Sequence, residues 1–385
     1  MTRVLLRTLA AAVLLAAAVL VGWRVLAPAE VLASATTPYP PLTLRQPGVT
    51  GRLNVAPLVV DGRVRVYAAK HQVRADAPVD GRTVYTARWS LRRWPEQVSE
   101  VAATGATVIT RWSDGEIVAI DARSGGIIWR AAGPETPGYD GHRTGAATVW
   151  QAQGLRFAAG NVVVISDQEL ISYAVSTGAT TWRQQRPAGC DEVFTTASAM
   201  VACSSGTAWN GATGTPVTGW PRGPWTPVGC DADGSQCAAF RDGQKQGWAV
   251  VGFDVQRLYS VDDTTVVVVG GVVVDATPGD VSATGLDGTP LWVRPGAARV
   301  LGANGSTILL LTRENTLVGV DAGTGAESLG FPLAMGAEST DWKPGLFRVA
   351  GGYLAMERLR TDAPEDDPES PIYYLTLDTV IMAAL

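Results

Sequence analysis

Histidine is almost missing from this chain of 385 residues: only His71 and His142 occur, far apart in sequence. Two imidazoles exclude a multi-histidine metal site and leave a Ser-His-Asp triad few candidates. Basic runs are missing too. Lysine and arginine number 31 against 36 acidic residues, giving a net charge of -5, and no long stretch concentrates the cations. That excludes the electrostatic footprint of a nucleic-acid binder. Helical periodicity is absent beyond the N-terminal segment, and cysteine is scarce, at Cys190, Cys203, Cys230 and Cys237.

What is present is turn-forming and apolar. With 43 Gly, 23 Pro, 13 Trp and 46% hydrophobic residues, the chain can bury a large core in a turn-rich structure. Residues 1–26 read as a membrane-targeting segment, with an uncharged run from Thr8 to Trp23 flanked by Arg7 and Arg24. As a helix this run rises about 24 Å, short of a ~30 Å hydrocarbon core unless the flanking arginines snorkel. Cleavage after the Ala27-Pro28-Ala29 stretch and retention as a single-pass anchor both fit; Trp23 and Arg24 favour the anchor. In either case Arg3 and Arg7 place the N-terminus in the cytoplasm and everything after it outside. Residues 27–50, with Pro28, Pro38, Pro40, Pro41 and Pro47, are expected as an extended spacer, and residues 51–385 as the folded domain.

Export suits the cysteines. Cys230 and Cys237 flank Asp233-Gly234, a type I′ turn signal whose register sets the two thiols opposite each other. Cys190 and Cys203 flank FTTASAMV, a second hairpin candidate. Sequential pairing is the chosen connectivity among three, with free thiols as the alternative.

The stretch GEIVAIDARSGGIIWR at 115–130 recurs in layout at 168–183, 278–293 and 315–330. Turn glycines at 125, 178, 214, 288 and 325 give intervals of 53, 36, 74 and 37 residues. The long intervals hide a decayed unit near 251 and an insertion, GPETPGYDGHRTGAATVWQ, about as long as one extra hairpin; TVYTARWSLRRW is one more decayed copy. Eight units of short alternating strands predict an all-β fold: an eight-bladed β-propeller of four-stranded antiparallel blades, with seven blades as the alternative, preceded by one N-terminal transmembrane helix. The final stretch YYLTLDTVIMAAL is expected to supply the strand that closes the ring.

The layout VAIDARSGGIIW at 118–129 resembles the repeat of the quinoprotein-type (PQQ-like) β-propeller family. Residues 172–182 follow it with Ala174 in place of the Asp, and residues 318–329 with Leu329 in place of the Trp. The resemblance implies that Asp and Gly shape a tight turn while the Trp docks on a neighbouring blade. Physics agrees, since a Trp fixed on an outer strand covers a large flat surface; Trp129, Trp182 and Trp292 are the expected docking residues. The family includes quinone dehydrogenases, which use an adjacent Cys pair, an Asp and a calcium set. This chain has no adjacent cysteines and no C-x-x-C-H haem motif, so no cofactor, metal or catalytic residue is assigned. The family also includes non-catalytic envelope propellers, such as the accessory scaffold of the barrel-assembly machine.

Three polar clusters are weighed as sites. His142 with Asp140 and Arg143 reads as a solvated loop, and Asp362, Glu365, Asp366, Asp367 and Glu369 as an extended acidic loop matching no calcium motif. Arg88, Trp89, Arg92, Arg93 and Trp94 form a possible interaction patch, against the plainer reading of a blade edge with Trp89 turned inward. The resulting expectation is a propeller tethered to the cytoplasmic membrane by its N-terminal helix, acting outside it as a non-catalytic scaffold for an envelope protein. The alternative is a receptor or sensor holding a sugar, peptide or quinone in the central funnel.

Overall fold

Eight antiparallel sheets follow one another around a ring in the computed structural model. It describes residues 7, 11–19, 22, 28–43, 45–80, 86–139, 144–221, 223–230, 236–244, 246–251, 254–257, 266–296, 298–338, 341–362 and 379–385. Blade 1 holds Leu58–Val60, Val64–Ala69, Gln72–Ala77 and Thr86–Trp94; blade 2 holds Val98–Thr104, Thr107–Trp112, Glu116–Asp121 and Ile127–Ala132. Blade 3 runs from Leu155 to Gln185, blade 5 from Trp225 to Arg257, blade 6 from Val267 to Pro295 and blade 7 from Ala298 to Pro332, four strands each. Blade 4 departs from the expected four. It has Val193–Thr195, Met200–Cys203 and Thr207–Asn210, and then a single bridge from Trp209 to Pro216, whose ring removes the amide a fourth ladder needs.

The C-terminal stretch closes the ring as expected, by pairing with the first strand of the domain; its residues 373–378 lie outside the described residues. The C-terminal strand Val380–Ala384 is the third strand of blade 8, after Lys343–Ala350 and Tyr353–Leu359; the fourth comes from the other end of the chain, Gly48–Leu53. Blade 8 is thus made from both termini, so the ring cannot open without breaking a ladder. Each neighbouring pair of blades shares a buried apolar cluster, for example Ile109 and Trp129 of blade 2 with Val162 and Tyr173 of blade 3. The same holds around the ring to the cluster joining blades 8, 1 and 2.

Four tryptophans repeat one contact. The indole of Trp129 lies on Gly178 of blade 3 and its Nε1 donates to the Val175 carbonyl at 2.7 Å. Trp182 does the same to Gly214 and Gly211 O (2.9 Å), and Trp292 to Gly325 and Ala322 O (2.8 Å). Trp89 makes the fourth, on Gly125 and the Ala122 carbonyl (3.0 Å). In each case the accepting carbonyl lies three residues before the glycine. That glycine is doubly required: its φ is positive, +72° at Gly178, and a Cβ there would sit 2.6 Å from the Trp129 ring. Asp121, Asn210 and Asp321 hold their turns by accepting backbone amides two and three residues on, or two on alone at Asp121, whereas Ala174 cannot.

Among the described residues the inserted segment after blade 2 forms no hairpin. It ends in the one-turn helix Ala146–Trp150, packed on the innermost strands of blades 2 and 8, with Trp150 buried and its Nε1 donating to Pro57 O at 2.8 Å. Arg348 of blade 8 donates to Trp150 O and Thr144 bonds Glu357, so the insertion is bound at the axial side. The disulfides join Cys190 to Cys203 and Cys230 to Cys237. Cys203 lies opposite Val193 in the expected hairpin, but Cys190 precedes the strand and ties the blade 3 to blade 4 connection down; the Asp233-Gly234 turn lies outside the described residues.

Residues 11–19 are helical, and among the described residues no helix is long and apolar enough to cross a membrane; the rest of the expected anchor lies outside them. Residues 27–50, expected as an extended spacer, are extended but lie against the ring. Ala29–Ala33 adds a fifth strand to the outer edge of blade 1, Ala35 donates to Ser124 O (2.8 Å), and Gly48–Leu53 belongs to blade 8. Between them Tyr39 lies within 5.3 Å of the Arg63 guanidinium and 5.6 Å of that of Arg88, and burial, then the Asp61 carboxylate, push its phenol up to about 12. The prolines keep the segment extended without helix, and extended backbone is what an open sheet edge accepts.

Two glycine substitutions separate backbone strain from blade docking. Gly160 has φ +76° with open space beyond it, so Gly160→Ala is expected to cost about 1 kcal/mol. Gly178→Ala adds displacement of the Trp129 ring and is expected to cost roughly 3 kcal/mol or more. Equal losses of Tm in the two variants would contradict the docking account.

Candidate functional site

An antiparallel blade entered at one face turns there again between its second and third strands, and leaves by the same face. The glycine turns, between third and fourth strands, therefore lie on the opposite face. The docking tryptophans and the inter-blade connections divide the ring into a stapled face and a connection face.

A cleft of about 670 Å³ opens on the connection face across blades 2, 3 and 4. Its walls are stitched by buried arginines. Arg111 donates to Ile165 O at 3.0 Å and pairs with Glu100 at 3.5 Å, while Glu100 accepts from the Gly154 amide at 2.6 Å. Arg156 donates to Val193 O (3.1 Å), Ala152 O (2.6 Å) and Leu155 O (3.1 Å), tying blade 3 to blade 4. Arg186 gathers Ser166 O, Cys190 O and Asp191 O, so the disulfide-bound connection is held as well. These guanidinium groups spend their donors on carbonyls and set the walls rather than the rim.

The rim carries the opposite charge. Glu135, Asp167, Asp191 and Glu192 are exposed around the mouth, and Asp167 keeps only a 3.9 Å pairing with Arg186. Chemically this is an open, rigid cleft with acceptors at its edge, matched to a cationic, donor-rich group. A smaller cleft of about 460 Å³ opens on the same face between blades 6, 7 and 8, beside Trp342, Lys343 and Arg313.

Most of the patch expected at blade 1 is internal. Arg88 is buried and donates to Thr37 Oγ1 (3.0 Å), Thr37 O (3.1 Å), Pro38 O (2.9 Å) and Arg123 O (2.9 Å), while Trp89 is the fourth docking residue. Arg93 is largely covered. It makes a forked pair with Asp114 (2.7 and 3.2 Å), reaches Glu116 at 2.9 Å and Glu30 at 3.4 Å, and lies 5.0 Å from the Trp112 ring. Arg130 closes this network with Glu116 (3.0 Å) and Glu30 (3.0 Å). Only Arg92 stays exposed, with Trp94 half-buried against His71 at 4.5 Å. His71 Nδ1 lies 2.7 Å from Glu96 O, a structural role.

Trp129 and Trp182 are buried and Trp292 half-buried at blade junctions. His142, with Asp140 and Arg143, and Glu365, Asp366, Asp367 and Glu369 lie outside the described residues; Asp362 pairs with Arg360 at 2.7 Å. Among the described residues no three His, Cys, Asp or Glu side chains gather as a metal site, and both cysteine pairs are disulfides between non-adjacent residues, so the described residues do not fit a quinone-calcium centre. The cleft carboxylates were missed in sequence because they sit in three separate inter-blade connections and turns that only the ring brings together.

Eight successive sheets define a β-propeller, and its clearest repeats resemble the PQQ-like repeat. Residues 21–149 match the family model PQQ_2, described as outer membrane protein assembly factor BamB. Among solved structures, BamB from Moraxella catarrhalis is 15% identical over 92% of this chain and 97% of its own, with a TM-score of 0.47. The computationally designed Ika8 protein is 12% identical over 92% and 100% (TM-score 0.49), and a europium-containing methanol dehydrogenase 13% over 89% and 93% (0.44). The sequence matches no curated protein.

The network at blade 1 predicts an acid transition. Burial raises Asp114, but the Arg93 hydrogen bond, the Glu116 amide and the Arg93 charge together outweigh it and hold the carboxyl below its ordinary value. Stability from its ionised form is therefore complete above the unfolded pKa near ~4 and is lost as pH falls through the lower folded value. Amide exchange at Ala29–Ala33 is expected to accelerate below about pH 4 before Val162–Val164 of blade 3 does; the reverse order would contradict the network.

Proposed function

We propose that this protein is a non-catalytic scaffold, tethered by its N-terminal helix to the cytoplasmic membrane and displayed outside it. Its connection-face cleft takes a basic segment of an envelope protein. The observation that carries this reading is the cleft itself: rigid walls, four exposed carboxylates on the rim, and a span of three blades. Such a mouth suits an extended cationic polypeptide, because charge complementarity on a rim steers encounter and fixes orientation. The matched family model, whose description names an assembly factor, supports the same direction by likeness of the repeat. The membrane tether rests on the uncharged run from Thr8 to Trp23 with its flanking arginines. The receptor alternative places its ligand at the ring axis, where the helix Ala146–Trp150 already packs on the inner strands of blades 2 and 8.

In-cell photocrosslinking tests this. Benzophenone side chains introduced at Glu135 or Asp167 are expected to trap one or two recurrent envelope proteins, while the same probe at Asp287, on the stapled face, traps none. Reversing Asp167 and Asp191 to Lys is expected to lower capture about tenfold. Capture of the same proteins from both faces, or no capture at all, would remove the scaffold reading.

A further inference from the structure

The fifth strand of blade 1 has a consequence for how the ring meets a bilayer. Thr86–Trp94 runs from the stapled face to the connection face, and Ala29 pairs with Trp94 while Ala33 pairs with Ser90. The chain therefore joins the ring at the connection-face rim of blade 1, the face that carries both clefts. Between Trp23, the last residue of the uncharged run, and Ala29 there are six Cα steps, a reach of at most about 21 Å when fully extended. A free spacer of residues 27–50 would have let the ring wander several times farther. The strand shortens that leash and sets its attachment point.

The strand is also held in one orientation. Its alternate side chains divide: Glu30 points into the Arg93 and Arg130 network shared with blade 2, whereas Ala29 and Val31 share the other side with Trp94 and Arg92. On that side lies a shallow, mainly apolar groove of about 360 Å³, lined by Ala29, Val31, Arg92 and Trp94. Val31 is 58% exposed, and the outer edge of the strand has no further partner strand among the described residues. Tryptophan, arginine and small aliphatic side chains together are what the headgroup boundary of a bilayer accepts: ring and methyl groups enter the acyl margin while the guanidinium meets phosphate.

The geometry points to this groove as a phospholipid-contacting edge: the Ala29–Ala33 strand docks the connection-face rim of blade 1 on the bilayer surface and so turns the clefts toward the membrane. This rests on the membrane-tethered reading above. It adds a fixed orientation, so that the partner segment is met close to the bilayer rather than far from it. The occupant is the lipid surface because the chain's own reach keeps this edge near it, and because the one exposed charge in the groove is the cation of Arg92.

Full-length protein in phospholipid nanodiscs containing anionic lipid tests the assignment. A benzophenone side chain placed at Arg92 is compared with one placed at Leu291, which is 44% exposed on the outer strand of blade 6. Lipid adducts are expected at position 92 in at least about fivefold excess over position 291. In the second arm Glu30→Arg repels Arg93 and Arg130, and the excess is expected to vanish while the Tm of the ring and its elution with the discs persist. Equal lipid labelling at both positions in disc-bound protein, or a protein dimer as the product at position 92, overturns the inference. Failure of the unaltered protein to elute with discs instead overturns the tethered reading beneath it.

Discussion

A flat indole resting on a residue with no side chain is the contact on which the ring depends. Trp89, Trp129, Trp182 and Trp292 each lie on a glycine of the following blade, and each donates to the carbonyl three residues before it. The glycine serves two masters, a turn needing positive φ and a surface needing no Cβ, so neither condition can relax without the other. Because the indole nitrogen finds its acceptor at the same place each time, the contact sets the rotation between blades as well as their separation. Four of the eight junctions carry this contact among the described residues, and buried apolar clusters fill the others.

Closure itself is a matter of chain ends. Blade 8 takes three strands from residues 343–384 and its fourth from Gly48–Leu53, so the two ends of the domain are hydrogen-bonded in one ladder. The segment leading there is fixed along its length: Ala29–Ala33 on the edge of blade 1, the Thr37 and Pro38 carbonyls on Arg88, and Tyr39 between Arg63 and Arg88. A composition that reads as linker is here a belt around the first blade.

The two faces then differ in what they spend. On the stapled face glycine, tryptophan and Asx turns are committed to blade docking. On the connection face the arginines hold the walls and the carboxylates of separate connections are left at the cleft rim, where an incoming cationic group meets them. Stability and recognition are thereby placed at opposite ends of the same strands, as happens where a rigid scaffold presents loops.

The sequence alone determined the repeat. Turn glycines at intervals near 37 residues, alternating short strands and a Trp beyond each turn leave little besides a ring of β-blades, because periodic local patterns specify local structure and its repetition. It also made sequential disulfides the natural pairing, since both pairs are close in the chain. What it did not determine was every relation between residues far apart. Arg88, Trp89, Arg92, Arg93 and Trp94 read either as an interaction patch or as a blade edge with Trp89 turned inward and solvated arginines; Trp89 is inward, but Arg88 and Arg93 are covered too, by partners at Thr37, Arg123, Asp114 and Glu30. The prolines of 27–50 predict extended backbone equally well in solvent and on a sheet edge. The insertion after blade 2 carries no sign that its tryptophan would seat beside Pro57. Burial and charge pairing depend on which surface a segment meets, and that was decided only when the ring closed.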